Sequence, residues 1–201
     1  MRLVFATGNK GKLREAREIL GPSYEILSPA ELGVEGEAEE TGSTLEENSL
    51  LKAKYISDRI PQGVMCFADD SGLEVDALGG APGVYTARYA GPQCDFDDNM
   101  DKLLRELALR PEKARTARFV CVVTLINGDV VRQFRGVLEG QIALEKRGEL
   151  GFGYDPVFIP NEYPQMTLAE LGEDVKNGIS HRYKALMQMR GALSEQFPKH
   201  I

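Results

Sequence analysis

Two adjacent carboxylates, Asp69 and Asp70, close an apolar run over residues 64–68 and are followed by Ser71-Gly72. The pattern reads as a buried strand whose last residues emerge into a loop. Like charges a few ångströms apart raise one another's pKa, so neighbouring acids there are costly without a cation beside them. A divalent metal ion removes that cost. It also gives the acids a chemical role, holding the ion against phosphate oxygens while one carboxylate positions or deprotonates water. The plainer alternative is that both acids cap the following turn. Side chains alternate along an extended chain, so the two carboxylates should divide the labour, one in a site and the other bonded to its surroundings.

Cations to match these acids stand in three places. Thr7-Gly8-Asn9-Lys10-Gly11-Lys12 separates an apolar strand (residues 3–6) from a helical stripe of Leu13, Ala16 and Leu20. Backbone N–H groups and a helix N-terminus receive phosphates in such an arrangement, although the spacing is not that of a Walker loop. A plain turn with solvated lysines is the competing reading. Lys52 shares a helix face with Asn48, four residues earlier, and suits either a triphosphate contact or the surface. His181-Arg182 open the last helix beside Lys176-Asn177, where cations oppose the helix dipole. That placement favours an anionic or carbonyl-bearing ligand. Between them, Gly151-Phe152-Gly153-Tyr154-Asp155-Pro156 can lay an aromatic ring on a flat ligand or pack it under a turn. An acidic loop carries Glu35, Glu37, Glu39 and Glu40, mostly solvated, with one acid in reach of a metal.

The elements that must position these groups are legible as well. Residues 3–6 and 24–27 read as strands, and Thr44-Leu45-Glu46-Glu47 is a capping box opening a helix to about Arg59. Gly79-Gly80-Ala81-Pro82-Gly83 needs unusual backbone angles. Tyr85, Arg88 and Tyr89 beyond it suit a subunit interface or a packed loop. Asp98 caps a helix with a Met100, Leu103, Leu104, Leu107 stripe, and residues 119–126 and 130–134 form a hairpin about Asn127-Gly128. Residues 137–144 are further strand, Thr167 opens a short helix, and a terminal helix after Ser180 buries Tyr183, Leu186, Met187, Leu193 and Phe197. His200 is expected in a frayed tail.

At 201 residues the chain (1–201) is expected to be one domain, with 42% apolar and 27% charged residues as in ordinary globular proteins. A formal charge of −7 argues against a nucleic-acid partner, though not against a small anion held by local lysines. The three cysteines lack CxxC spacing; Cys66 and Cys121 lie in apolar runs, which suits buried thiols in a reducing compartment. With no signal segment or membrane span in view, a cytoplasmic protein without a membrane partner is expected. A haloacid dehalogenase would want DxD where Thr-Gly-Asn stands, and a zinc deaminase would want H-x-E with paired cysteines. A nucleotide sensor without turnover and a Maf-like pyrophosphatase remain rivals.

Taken together, Thr7 through Lys12, Glu39-Glu40-Thr41-Gly42, Glu47-Asn48, residues 68–91, Phe152 through Pro156, and Lys176-Asn177 with Ser180-His181-Arg182 resemble the inosine triphosphate pyrophosphatase (Ham1-like) family in order and spacing. The resemblance implies an α/β homodimer with a long mixed central sheet flanked by helices, and two lobes with a cleft between. It implies hydrolysis of non-standard purine nucleoside triphosphates (ITP, dITP, XTP) to monophosphate and pyrophosphate with Mg²⁺. By position, Asp70 resembles the catalytic base and a metal ligand, with Glu40 as the second ligand. Thr7, Gly8, Asn9, Lys10, Gly11 and Lys12 resemble the triphosphate loop; Lys52, Ser71 and Lys176 resemble further substrate contacts. Phe152, Gly153, Tyr154, Asp155, His181 and Arg182 resemble the base pocket. Tyr183 and Thr86 stand where many members have Gly and Ser.

Overall fold

A computed structural model describes residues 1–196, so Phe197 and His200 lie outside the described residues. Leu3, Val4 and Phe5 of the first strand are fully buried, so that strand is covered on both faces. β1 (Arg2–Phe5) pairs in parallel with β2 (Glu25–Leu27) and with β3 (Met65–Val75). α1 (Lys10–Leu20) links β1 to β2; Asn9 caps it and Gly21, at φ 72°, ends it. α2 (Leu45–Ser57) starts as its capping box requires, with Thr44 Oγ1 accepting the Glu47 N–H at 3.1 Å. The reciprocal half falls one residue earlier, on the N–H and hydroxyl of Ser43.

β3 does not stop at residue 68 as the sequence suggests. It runs through both acids to Val75, because each carboxylate finds a cation inside the fold. β4 (Pro82–Gly83) returns antiparallel to its far end. α3 (Phe96–Ala108) is capped by Asp95 rather than Asp98: Asp95 accepts the N–H groups of Asp97 and Asp98. β5 (Thr116–Asn127) and β6 (Val130–Ile142) form the expected hairpin about Gly128-Asp129, one residue later than Asn127-Gly128, with Gly128 at φ 57°. β6 absorbs the strand expected at 137–144. β7 (Phe158–Pro160) completes a seven-stranded sheet in the order β2-β1-β3-β5-β6-β7, with β4 on β3. Thr167 makes only a single turn. The helix of that region is α4 (Glu173–Ile179), which no capping residue announced, since Gly172 precedes it. α5 (His181–Gln196) is the terminal helix.

The chain divides into two compact units. One comprises Met1–Asp70, Cys121–Gly136 and α5 from Arg182; the other comprises Ser71–Val120 and Val137–His181. In the first unit the strand alternation sorts the core. Leu3, Phe5, Met65 and Phe67 pack with Ala16, Ile19 and Leu20 of α1 and Ala185, Leu186, Met189 and Leu193 of α5. Val4, Ala6, Cys66 and Ala68 pack with Ala53 and Ile56 of α2. Tyr183 and Met187 are half-buried against the first cluster. In the second unit Leu73, Leu103, Leu138, Tyr154 and Phe158 anchor one cluster. Cys66 and Cys121 are buried thiols as expected, and burial pushes the Cys66 pKa up to about 12. Among the described residues no helix is long and apolar enough to cross a membrane.

Gly140 shows how closely β6 and β7 meet: a Cβ there would strike the Ile159 carbonyl oxygen and lie 2.7 Å from Phe158 Cζ. We expect Gly140→Ala to lower the unfolding free energy by about 1–3 kcal/mol, as over-packing does, measured by urea titration.

Candidate active site

The alternation that sorts the core also separates the two acids. Asp69 continues the face of Met65 and Phe67 and meets α1 and α5. Its Oδ1 accepts from Lys12 Nζ at 3.0 Å and its Oδ2 from Arg182 Nε at 3.0 Å, with the Cys121 thiol 3.9 Å away. Arg182 in turn pairs with Glu15 on α1. Asp69 and Arg182 are both 3% exposed. Burial works to raise the Asp69 pKa, but Lys12, then Arg182 and Lys52, hold it well below the usual carboxylate range. The Arg182 guanidinium is likewise held above its ordinary value: burial works against the charge, and Asp69 and Glu15 outweigh it.

Asp70 continues the face of Cys66 and Ala68 and meets α2. Lys52 Nζ lies 2.7 Å from its Oδ1 and 3.0 Å from Glu40 Oε1. Here burial dominates and raises the Asp70 pKa, Lys52 opposing it only in part. Lys52 is pushed up: burial would lower it, but Asp70, Asp69 and Glu40 all favour the ammonium. The Glu39–Gly42 stretch carrying Glu40 is tied to α2, since the fully buried Asn48 accepts the Gly42 N–H at 2.8 Å.

Lys10, Lys12, Lys52 and Asp69 line an open cleft of about 940 Å³ together with Thr7, Gly8 and Asn9 of the β1–α1 turn. The turn is partly self-satisfied. Asn9 Oδ1 accepts from the N–H groups of Gly11 and Lys12 at 2.8 and 3.1 Å, and Thr7 Oγ1 from that of Asn9 at 3.1 Å. A Cβ at Gly8 would strike the Glu37 carboxylate, so the acidic loop closes over this turn. Glu35, Glu37, Glu39 and Glu40 are exposed, as expected.

The second unit gathers the aromatic and C-terminal candidates. Phe152 is 56% exposed, whereas Tyr154 is buried, its hydroxyl donating to the Thr86 carbonyl at 2.8 Å. The two aromatics thus divide between surface and core. Asp155 is buried; its Oδ2 accepts from the Phe152 N–H at 2.9 Å and from Lys176 Nζ at 2.5 Å. Gly151, at φ 82°, leaves room for that carboxylate, and Gly153, at φ 66°, continues the turn. Lys176 Nζ also sits 4.5 Å from the centre of the Phe152 ring, and the His181 ring stacks on Phe119 at 5.0 Å. Ser71 Oγ is buried with no hydrogen-bond partner among the described residues.

A profile of the Ham1 family matches residues 3–192. The chain belongs to the Ham1 family. It is 48% identical to the dITP/XTP pyrophosphatase of Bacillus subtilis over 92% of this chain and 93% of that one, and 48% identical to that of Porphyromonas gingivalis over 96% and 97%. Among solved structures, the Ham1 protein of Staphylococcus aureus superposes with a TM-score of 0.87 at 39% identity, covering 98% of this chain and all (100%) of that one.

Within this Ham1-family chain, Arg182 is the candidate whose surroundings the sequence did not suggest: its guanidinium is committed to Asp69 and Glu15. Glu15 went unremarked, although an acid beside Ala16 and Ile19 on the buried face of α1 was a usable signal. No group of three or more His, Cys, Asp or Glu side chains converges on a point among the described residues. Glu40 and Asp70, already sharing one ammonium, offer two hard oxygen ligands. That set fits Mg²⁺, which commonly takes one or two carboxylates and completes its shell with water and phosphate.

Asp69→Asn strands the buried Arg182 charge on Glu15 alone. We expect a loss of about 3–5 kcal/mol in unfolding free energy, the usual result of removing one partner from a buried pair. In the wild type, the depressed Asp69 pKa adds stability that is fully present above the ordinary carboxylate value of about 4 and is lost as pH falls below it. Asp69→Asn should flatten that acid-side decline in a pH series of urea titrations.

Proposed function

We propose that this chain hydrolyses non-standard purine nucleoside triphosphates (dITP, XTP and ITP) to the monophosphate and pyrophosphate. Relatives at 48% identity named dITP/XTP pyrophosphatase support the substrate class. The observation that carries the chemistry is the contrast between two neighbouring acids. Asp69 is clamped by two cations and held strongly acidic, which makes it a poor base. Asp70 meets one ammonium, that of Lys52, through Oδ1, which leaves it the less encumbered proton acceptor.

Release of pyrophosphate requires water to attack the α-phosphorus while charge builds on the leaving β-phosphate. In this reading Asp70 orients and deprotonates the water. Lys12, Lys10 and Lys52, with the Thr7-Gly8-Asn9 backbone and Gly11, hold the phosphate oxygens and balance the developing charge. Glu40 and Asp70 would hold Mg²⁺, which supplies charge neutralisation and a more acidic water when bound. Arg182 and Glu15 act through Asp69 by keeping Lys12 at the cleft wall.

Base choice falls to hydrogen bonding. Hypoxanthine and xanthine carry an oxygen acceptor at C6, where adenine carries an amino donor. Donors from Lys176, His181 or the Phe152-Gly153 backbone pair with the former and oppose the latter, leaving buried groups unpaired at about 1–3 kcal/mol each. The exposed Phe152 ring offers a stacking face, Asp155 fixes that loop, and Ser71 Oγ is a further substrate contact. Tyr85 is 57% exposed, with the Arg88 guanidinium 5.2 Å from its ring centre, which supports a homodimer contact there. Three free thiols suit a cytoplasmic location.

Incubation with ITP and Mg²⁺ should release pyrophosphate and not orthophosphate; orthophosphate as first product would remove the assignment. We expect Asp70→Asn to reduce kcat by about 10²–10⁴-fold, as loss of a general base does. Near-normal kcat would exclude Asp70 from that role. Phe152→Ala should raise KM by about 5–150-fold with a smaller change in kcat, matching the ~1–3 kcal/mol of base–aromatic stacking.

A further inference from the structure

Lys52 stands between the two acids assigned above as cation ligands, 2.7 Å from Asp70 and 3.0 Å from Glu40, with its side chain 15% exposed. We propose that Lys52 is the resident counter-ion of the Glu40–Asp70 pair and makes divalent-cation binding conditional on nucleotide. In the nucleotide-free protein its ammonium holds the two carboxylates. When a triphosphate arrives the ammonium moves to phosphate oxygens, and the acids are released to the cation. This rests on the reading of Glu40 and Asp70 as cation ligands.

Three features of the chain carry it. The first is electrostatic: a cation approaching these carboxylates meets a positive charge already within hydrogen-bond distance of both, and the part-buried contact with Asp70 is weakly screened. The second is chemical. Lysine is a compact charge on a flexible four-carbon stem, able to change partners, whereas the Arg182 fork is fixed on Asp69 and Glu15.

The third is the mounting of Glu40. Asn48, one turn before Lys52 on α2, accepts the Gly42 N–H, and a Cβ at Gly42 would come within 2.6 Å of the Asn48 oxygen. The backbone two residues from Glu40 is therefore pressed onto the helix that carries Lys52. The backbone beside the acid is anchored while the ammonium can leave. Arg118 with Glu74, Asp76 and Glu139, and Lys146 with Asp97 and Asp101, are further multi-acid clusters, but none of these residues lines the cleft that Lys52 and Glu40 share.

The deciding experiment is Mn²⁺ binding to the full chain without nucleotide, followed by electron paramagnetic resonance of the free ion. The wild type is expected to bind weakly, and Lys52→Met at least tenfold more tightly although its turnover falls. Lys52→Gln, which keeps a polar head without the charge, should show the same gain and serves if Lys52→Met folds poorly. Lys52→Arg should show none. Equal or weaker Mn²⁺ binding by both neutral variants would overturn the proposal. Adding Glu40→Gln to either neutral variant should abolish the gain. A gain that survives both Glu40→Gln and Asp70→Asn would instead overturn the reading of those acids as ligands.

Discussion

The two-residue repeat of a β-strand is the constraint on which the site depends. Neighbouring side chains on β3 must leave opposite faces of the sheet, so two consecutive aspartates are delivered to different helices. Asp69 goes to α1 and α5 and joins a chain of alternating charge, Lys12–Asp69–Arg182–Glu15, buried from Asp69 onward. Asp70 goes to α2 and shares one ammonium with Glu40. The same repeat distributes Met65 and Phe67 to one hydrophobic cluster and Cys66 and Ala68 to another. Core and chemistry therefore obey a single register, and a slip of one residue would exchange the roles of both acids.

From that register follows a contrast in setting between the two acids. A carboxylate between two cations is a weak base and a strong fastener. One with a partly compensated charge in a dry place is the reverse. The helices supply the difference: α1 and α5 bring Lys12 and Arg182 to one side, while α2 brings Lys52 alone to the other. An acidic chain with a net charge of −7 nonetheless brings Lys10, Lys12 and Lys52 together in one cleft.

Local chemistry was the part of this arrangement that could be read from the sequence. The β1–α1 turn, the capping box of α2 and the apolar stripe of α3 each depend on residues within a few positions of one another. The cap of α3 moved from Asp98 to Asp95 because several acids in a row offer equal capping chemistry, and only the approach of the chain selects one. Thr167 looked like a helix start, yet Glu170 turns its carboxylate back to the Thr167 N–H and closes a single turn. What could not be read were meetings between distant residues. The Arg182–Glu15 pair spans 167 positions, and the continuation of β3 past Ala68 required knowing that Lys12, Arg182 and Lys52 waited beyond it. Phe152 and Tyr154, alike in the sequence, separated into surface and core because Tyr154 alone finds a carbonyl, that of Thr86, at its hydroxyl.

The burial of the Asp69–Arg182–Glu15 chain has a bearing on the ionic conditions under which the molecule works. Mobile ions weaken attraction between charges they can surround, over a Debye length of about 8 Å in physiological salt, but reach poorly into a dehydrated interior. Solvent-facing pairs such as Arg2–Glu25 loosen as salt rises, whereas the buried contacts of Arg182 with Asp69 and Glu15 do so far less. A swing in salt concentration would thus leave the Asp69–Arg182–Glu15 fastening nearly untouched.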